Sequence, residues 1–155
     1  MSNDNFTHNI KRTSICAANC ANGRHCKRKT CLSQYCWMHL KTQNGLVVKK
    51  STIPNSGLGL FSSWDRKPKD FVAVYKGVSS SNPVRGDYVV YNRSARRYID
   101  AKYSNSCAAR FANDSRGNRN NCKFADSRHG VNLRTTKTIK KGQELFVPYG
   151  RSYWR

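Results

Sequence analysis

Negative charge is scarce in this chain. Its 155 residues hold 8 Asp and Glu against 29 Lys and Arg, a formal net charge of +21, and Glu144 is the only glutamate. Long apolar runs are missing too: none approaches the roughly 18 residues of a membrane span. The opening MSNDNFTHNIKRTS lacks the apolar stretch of a secretory signal. These absences lead to the expectation of a soluble intracellular protein with no membrane partner. Sustained helical periodicity is also lacking, and no stretch demands more than a turn or two of helix.

What is present in excess is positive charge, spread along the whole chain. A field of that sign attracts nucleic acid or another polyanion without specifying its sequence. Solubility alone rarely calls for so lopsided a balance.

Seven cysteines are also present, five of them between residues 16 and 36. An odd count, a tight cluster and no secretory signal argue against a disulfide scaffold and for metal. In CAANCANGRHCKRKTCLSQYCWMHL the candidates are Cys16, Cys20, Cys26, Cys31, Cys36 and His39, with His25 a weaker seventh. Thiolate and imidazole suit tetrahedral zinc, and Cys36 and His39 at x2 spacing can close a site from one short turn. The spacing Cys16-x9-Cys26-x9-Cys36-x2-His39, with Gly23, Lys27, Arg28, Tyr35 and Trp37 between, resembles a small zinc-knuckle family. That resemblance favours Cys16, Cys26, Cys36 and His39 as ligands; Cys26, Cys31, Cys36 and His39 is an equally legal set chemically. The zinc is expected to be structural, because so short a segment cannot build a core without a staple.

From Leu46 onward the chain reads as many short strands. LVVKKSTI, FVAVYKGV, DYVVYN, RRYIDA, NCKFAD, VNLRTTKTI and ELFVPYG are β-rich runs separated by turn signals such as PNSGLG and SSSNP. The expected organisation is a flexible polar and basic N-terminus (1–14), a zinc-binding module (15–42), a connector KTQNG (41–45) and a mostly β domain (45–155).

Four features of that domain fall in order: STIPNSGLGLFSS with its Gly-x-Gly turn, FVAVYKGV, YIDA followed by ARFANDS, and IKKGQELFVPYGRSYW. Together they resemble the SET-domain protein-lysine methyltransferases, with the glycine turn, Y-x-G, RFxNHS and KGEEL…YG in sequence. The resemblance implies small curved β-sheets with a threaded, pseudoknot-like C-terminal segment, a rare exception to the usual chain-crossing rules. It implies an enzyme that uses S-adenosylmethionine to methylate a protein lysine, by default on a histone tail. Such chemistry needs neither a metal nor a carboxylate pair, which suits a chain with one glutamate.

The resemblance also assigns residues. Gly57, Leu58 and Gly59 would lay their backbone against the cofactor, where a side chain would hold it off. Arg110, Phe111, Asn113 and Asp114 would form the cofactor-side wall, with Tyr153 and Trp154 packing over the cofactor or the lysine channel. Tyr149 matches the catalytic tyrosine, and Phe146, Tyr91 and Tyr98 are candidates for the aromatic substrate channel. The family's NHS is NDS here, so Asp114 stands where a histidine is expected. Cys107 and Cys122 have no cysteine-rich tail to pair with and read as buried thiols.

Nucleosomal DNA or another polyanion is the expected partner, since it could anchor a basic enzyme that a basic tail would repel. The compact SET layout with its zinc knuckle implies a virus-encoded enzyme, working in the nucleus, a viral factory or a virion. Two rivals stand beside this reading: an inactive SET module that binds chromatin or nucleic acid, and a methyltransferase of a non-histone protein. The sequence leaves oligomeric state open, a homodimer included.

Overall fold

The computed structural model describes residues 11–150 and Tyr153. It is mostly β, built from four small sheets and one short helix. The N-terminal module pairs β1 (Ser14–Ile15) with β2 (Lys29–Thr30), antiparallel, and ends in α1 (Trp37–Asn44). KTQNG is therefore not a connector. Lys41 to Asn44 form the last turn of α1, because His39 and Leu40 bury that helix against the domain. Gly45, at φ 64°, caps it by donating its N–H to Leu40 and Lys41.

The first sheet of the main domain has the order β11-β4-β3, from Glu144–Leu145, Leu58–Ser62 and Leu46–Lys50. Its central strand, LGLFS, is buried from Gly59 onward and reads as a continuous apolar run, as a doubly covered strand should. The second sheet, β5-β10-β9, joins Phe71–Tyr75, Gly130–Thr135 and Cys122–Ser127. Along β10, Val131, Leu133 and Thr135 are buried while Gly130, Asn132 and Arg134 are only partly so, the period of two expected of a strand. The third sheet, β6-β8-β7, joins Val78–Ser80, Arg97–Asp100 and Val89–Asn92. Leu46, Leu60, Val72, Val131, Leu133, Leu145 and Val147 share one core. Each such side chain stabilises the fold by roughly 1.5–3 kcal/mol when fully buried.

Some strands stop sooner than the sequence suggests. LVVKKSTI leaves the sheet after Lys50, because Ser51 and Thr52 turn to meet Glu144. VNLRTTKTI leaves it after Thr135, and Ile139 instead forms an isolated bridge with Arg66. ELFVPYG pairs only through Glu144 and Leu145. The rest of that segment is threaded: Phe146 bridges Asn113 in parallel, and its carbonyl accepts the N–H groups of Asn121 and Cys122. Val147 N–H donates to Asn113 O at 2.9 Å, so the segment runs between residues 113 and 121–122.

Buried charge is fully engaged around this core. Arg66, 6% exposed, donates to Ser62 Oγ (2.8 Å) and to the carbonyls of Phe71 (3.1 Å), Asn44 (2.8 Å) and Gly45 (3.1 Å), tying the end of α1 to two sheets. Glu144, also 6% exposed, accepts Ser51 Oγ–H (2.6 Å), Thr52 N–H (2.8 Å) and Thr52 Oγ1–H (2.5 Å). Hydrogen bonds to a charged group contribute more than neutral ones, and buried donors stripped of their acceptor are expensive. Glu144→Ala should lower the unfolding free energy by about 3 kcal/mol, measured by urea denaturation. A change below about 1 kcal/mol would mean that the staple is dispensable.

Candidate functional site

The N-terminal module gathers four ligating atoms. Those of Cys16, Cys26, Cys36 and His39 all lie within 4.8 Å of one another, and all four residues are buried. His39 Nδ1 lies 3.5 Å from Cys16 Sγ and 3.3 Å from Cys36 Sγ. A tetrahedron with Zn–S bonds of about 2.3 Å has edges near 3.8 Å, so the donor set fits zinc in chemistry and size. Two backbone bonds hold it: Cys16 N–H to Arg28 O at 2.8 Å and Cys26 N–H to Ala18 O at 2.9 Å. Burial pushes the Cys36 thiol up, but the His39 backbone N–H and the neighbouring Cys16 thiol bring it below its ordinary value. The chain thus assembles one of the two sets legal by spacing; Cys31 and Cys20 stay half-buried outside the cluster, and His25 is exposed. A two-strand ladder, a few further backbone bonds and a small core of Cys16, Ala18, Cys26 and Cys36 are little to hold some 25 residues, so the metal's role would be to close the module.

The glycine turn differs in detail from its expected logic. Gly57, at φ 63°, has a conformation that favours glycine, and a Cβ there would meet nothing. Gly59 is a glycine for a different reason: a Cβ would overlap the Glu144 carboxylate and crowd Ser51. Leu58 is 42% exposed, while its backbone pairs with Lys50 of β3. Its carbonyl accepts Asn113 Nδ2–H at 2.9 Å. The Asn113 side chain therefore fixes the glycine strand.

Residues 108–111, AARF, form a buried 3-10 turn. Phe111 is core. Arg110 is 5% exposed, donates Nε–H to Ala101 O at 2.8 Å and sets its guanidinium 3.9 Å from the Tyr88 ring centroid and 4.7 Å from that of Phe111. Both residues thus shape the wall from behind. Asp114 is accommodated by hydrogen bonds: Oδ2 accepts Tyr149 N–H (3.0 Å), and Oδ1 accepts Arg116 N–H (2.7 Å) and Asn120 Nδ2–H (2.9 Å).

Tyr149 sits against the core and donates its hydroxyl proton to Ala112 O at 2.8 Å. Burial, with Tyr153, Tyr88 and Asp114 adding to it, raises this phenol well above its ordinary range, so it is neutral at physiological pH. Tyr153 packs edge-on against it, ring centroids 4.6 Å apart. Trp154, expected to cover the cofactor, lies outside the described residues, as do residues 1–10 of the expected flexible N-terminus. Arg12, in that same stretch, exchanges hydrogen bonds with Ser104.

The remaining aromatics are arranged differently from one channel. Phe146 is buried in the crossing under the Arg119 guanidinium (4.8 Å), and Arg119 also reaches Thr52, so Phe146 lies toward the glycine turn. Tyr91 and Tyr98 are a cross-strand pair, centroids 4.7 Å apart, with Tyr91 43% exposed. Tyr88 is the residue the sequence reading missed. It is electrostatically coupled to both Tyr149 and Tyr153, and its carbonyl holds the Tyr75 hydroxyl at 2.7 Å. Tyr88 lies in the turn before β7 and packs against the core, while on the strand Val90 pairs with core Ile99 and Tyr91 takes the other face.

The metal assignment has a direct check. The purified chain should hold about one zinc per molecule by elemental analysis, the count of one four-ligand site. Cys20→Ser and Cys31→Ser should keep it and Cys26→Ser should lose it; zinc lost from Cys31→Ser and kept in Cys16→Ser would restore the rival set.

Comparison with known proteins agrees with this geometry. The chain superposes on the Chaetomium thermophilum polycomb repressive complex 2 at TM-score 0.54 and 24% identity, covering 68% of this chain and 15% of that one. A structure described as ctPRC2 in an autoinhibited conformation bound to S-adenosylmethionine gives 0.58 and 22%, over 69% and 15%. The methyltransferase domain of human PR domain-containing protein 2 gives 0.56 and 19%, over 69% of this chain and 78% of that. The chain thus spans only about a seventh of the polycomb chains it resembles, and these likenesses speak for the fold. No curated protein gives a sequence match. The SET domain pattern, however, matches residues 7–150, nearly the whole chain. The chain belongs to the SET-domain family.

Proposed function

We propose that this chain is an S-adenosylmethionine-dependent protein-lysine N-methyltransferase acting on a histone tail. The observation that carries the reading is the crossing of residues 112–114 with 146–149. It ties the glycine strand (Asn113 to Leu58) and the Tyr149 hydroxyl (to Ala112) to one short stretch of backbone. Gly57, at positive φ and with open space where a Cβ would stand, suits a cofactor that needs close approach without side chains. When bound, S-adenosylmethionine supplies an electrophilic methyl on a sulfonium.

Tyr149 is not the base in this scheme, because its phenol stays protonated. Its proton is committed to Ala112 O, which leaves oxygen lone pairs to accept an N–H from a substrate amine and aim the nitrogen in line. Tyr153 and Tyr88, gathered beside it, supply aromatic surface that excludes water from a neutral amine. The strongly positive chain disfavours a charged lysine and so favours the reactive free base.

The rival reading of an inactive module is favoured by the charge and by Asp114 in place of a histidine. The Asp114 carboxylate fixes the Tyr149 backbone rather than leaving a gap, which supports the active reading. Methyl transfer is supported by the SET family and by the name of one neighbour, a methyltransferase domain; a histone tail as substrate is the default that the family resemblance implies. Tyr149→Phe should reduce methyl transfer from labelled cofactor by about 100-fold or more while cofactor affinity stays within about threefold. Retained transfer in that variant would refute the assigned role.

A further inference from the structure

We propose that a basic cleft between the second and third sheets docks the phosphate backbone of duplex DNA. The cleft has a volume of about 480 Å3 and is open to solvent. Its cations come from separate parts of the chain: Lys76 after β5, Arg97 at the start of β8, and Arg128 in the turn between β9 and β10, where His129 adds an imidazole. Gln34, Ser79, Asn92 and Ser106 supply neutral polar groups, and no described residue lining the cleft is acidic. Sequence reading saw only diffuse charge, because these residues are scattered over some fifty positions.

The cleft is built rather than incidental. Two hairpin tips meet at its rim. Asn92 Nδ2–H donates to Ser127 O at 2.9 Å, and Arg93 N–H donates to Asp126 Oδ2 at 3.0 Å, locking the β7–β8 turn to the β9–β10 turn. The Arg97 Nε–H is oriented by Ser79 Oγ at 2.7 Å, and Lys76 Nζ reaches Gln34 Oε1 at 3.5 Å. A guanidinium held by one N–H keeps the others for a bidentate contact with phosphate oxygens. Arg93 and Arg96, exposed in the same turn, extend the positive rim beyond the cleft itself.

Position gives the cleft its meaning. Residues alternate faces along a strand, so Arg97 and Ile99 line the cleft while Tyr98 and its partner Tyr91 lie on the opposite face of the sheet. DNA seated here would leave that aromatic face open. Duplex DNA carries one charge per roughly 1.7 Å of axis, a denser anionic track than an acidic peptide presents to cations spread across two hairpin tips. The inference concerns binding alone and does not rest on methyl transfer.

The test is fluorescence anisotropy of a labelled duplex of about 30 base pairs, long enough for several phosphate contacts, titrated with the full chain at several salt concentrations. Lys76→Gln/Arg97→Gln/Arg128→Gln should weaken binding at least about tenfold and flatten the log–log salt slope by about 2 to 3. A triple of equal charge change elsewhere, Lys123→Gln/Lys140→Gln/Lys141→Gln, should cost less than about threefold, reflecting only the distant field. Arg128→Gln alone should fall between, guarding against a misfolded triple, and unchanged thermal midpoints confirm the fold. Equal losses in the two triples, no duplex binding by the parent chain, or equally tight binding of polyglutamate would each overturn the proposal.

Discussion

The structure hangs on the hydrogen bond from Val147 N–H to Asn113 O and the short parallel bridge around it. Backbone groups buried in a crossing must find partners there or be lost at full desolvation cost. Here the partners come from both sides: Asn113 on one, and Asn121 with Cys122 on the other. Asn121 adds its side chain, donating Nδ2–H to Glu144 O and accepting Phe146 N–H. Once the C-terminal segment is clamped in that way, Tyr149 can reach only what lies beside Ala112, and Asp114 caps its amide. Tyr149 and the glycine strand, which the proposed function makes the catalytic tyrosine and the cofactor edge, are thus held by the same few bonds.

Glu144 plays the complementary part at the other edge. It is the single glutamate of a chain with a +21 charge, and it is spent on backbone and hydroxyl donors rather than on any of the cations. Its carboxylate fills the space that a side chain at residue 59 would take. The turn that precedes the glycine strand is therefore shaped by an anion from the far end of the chain. Positive charge is left almost unopposed on the surface, which favours anionic partners and disfavours a protonated lysine near the site.

Much of this was legible because the chemistry of certain residue types is narrow. Cysteine and histidine at close spacing point to zinc, and four motifs in order point to the SET fold. The zinc-knuckle resemblance already favoured Cys16, Cys26, Cys36 and His39, and the fold brings those four together while Cys31 stays at the margin. The second constraint on Gly59, the carboxylate that a Cβ there would meet, was hidden because Glu144 is 85 positions away. Lys41 to Asn44 looked like a linker by composition, yet burial of His39 and Leu40 winds it into helix. Tyr88 escaped notice because it sits in a turn before β7, where strand alternation does not reach, and only packing shows it against the core.

The central claim is that the crossing builds a cofactor site in which Asn113 holds the glycine strand. Titration calorimetry of the full chain with S-adenosylmethionine, alongside Asn113→Ala, tests it most directly. The account predicts one cofactor bound per chain and an affinity about fivefold weaker in the variant, the scale of one lost hydrogen bond. No binding by the parent chain, or unchanged affinity in Asn113→Ala, would contradict it.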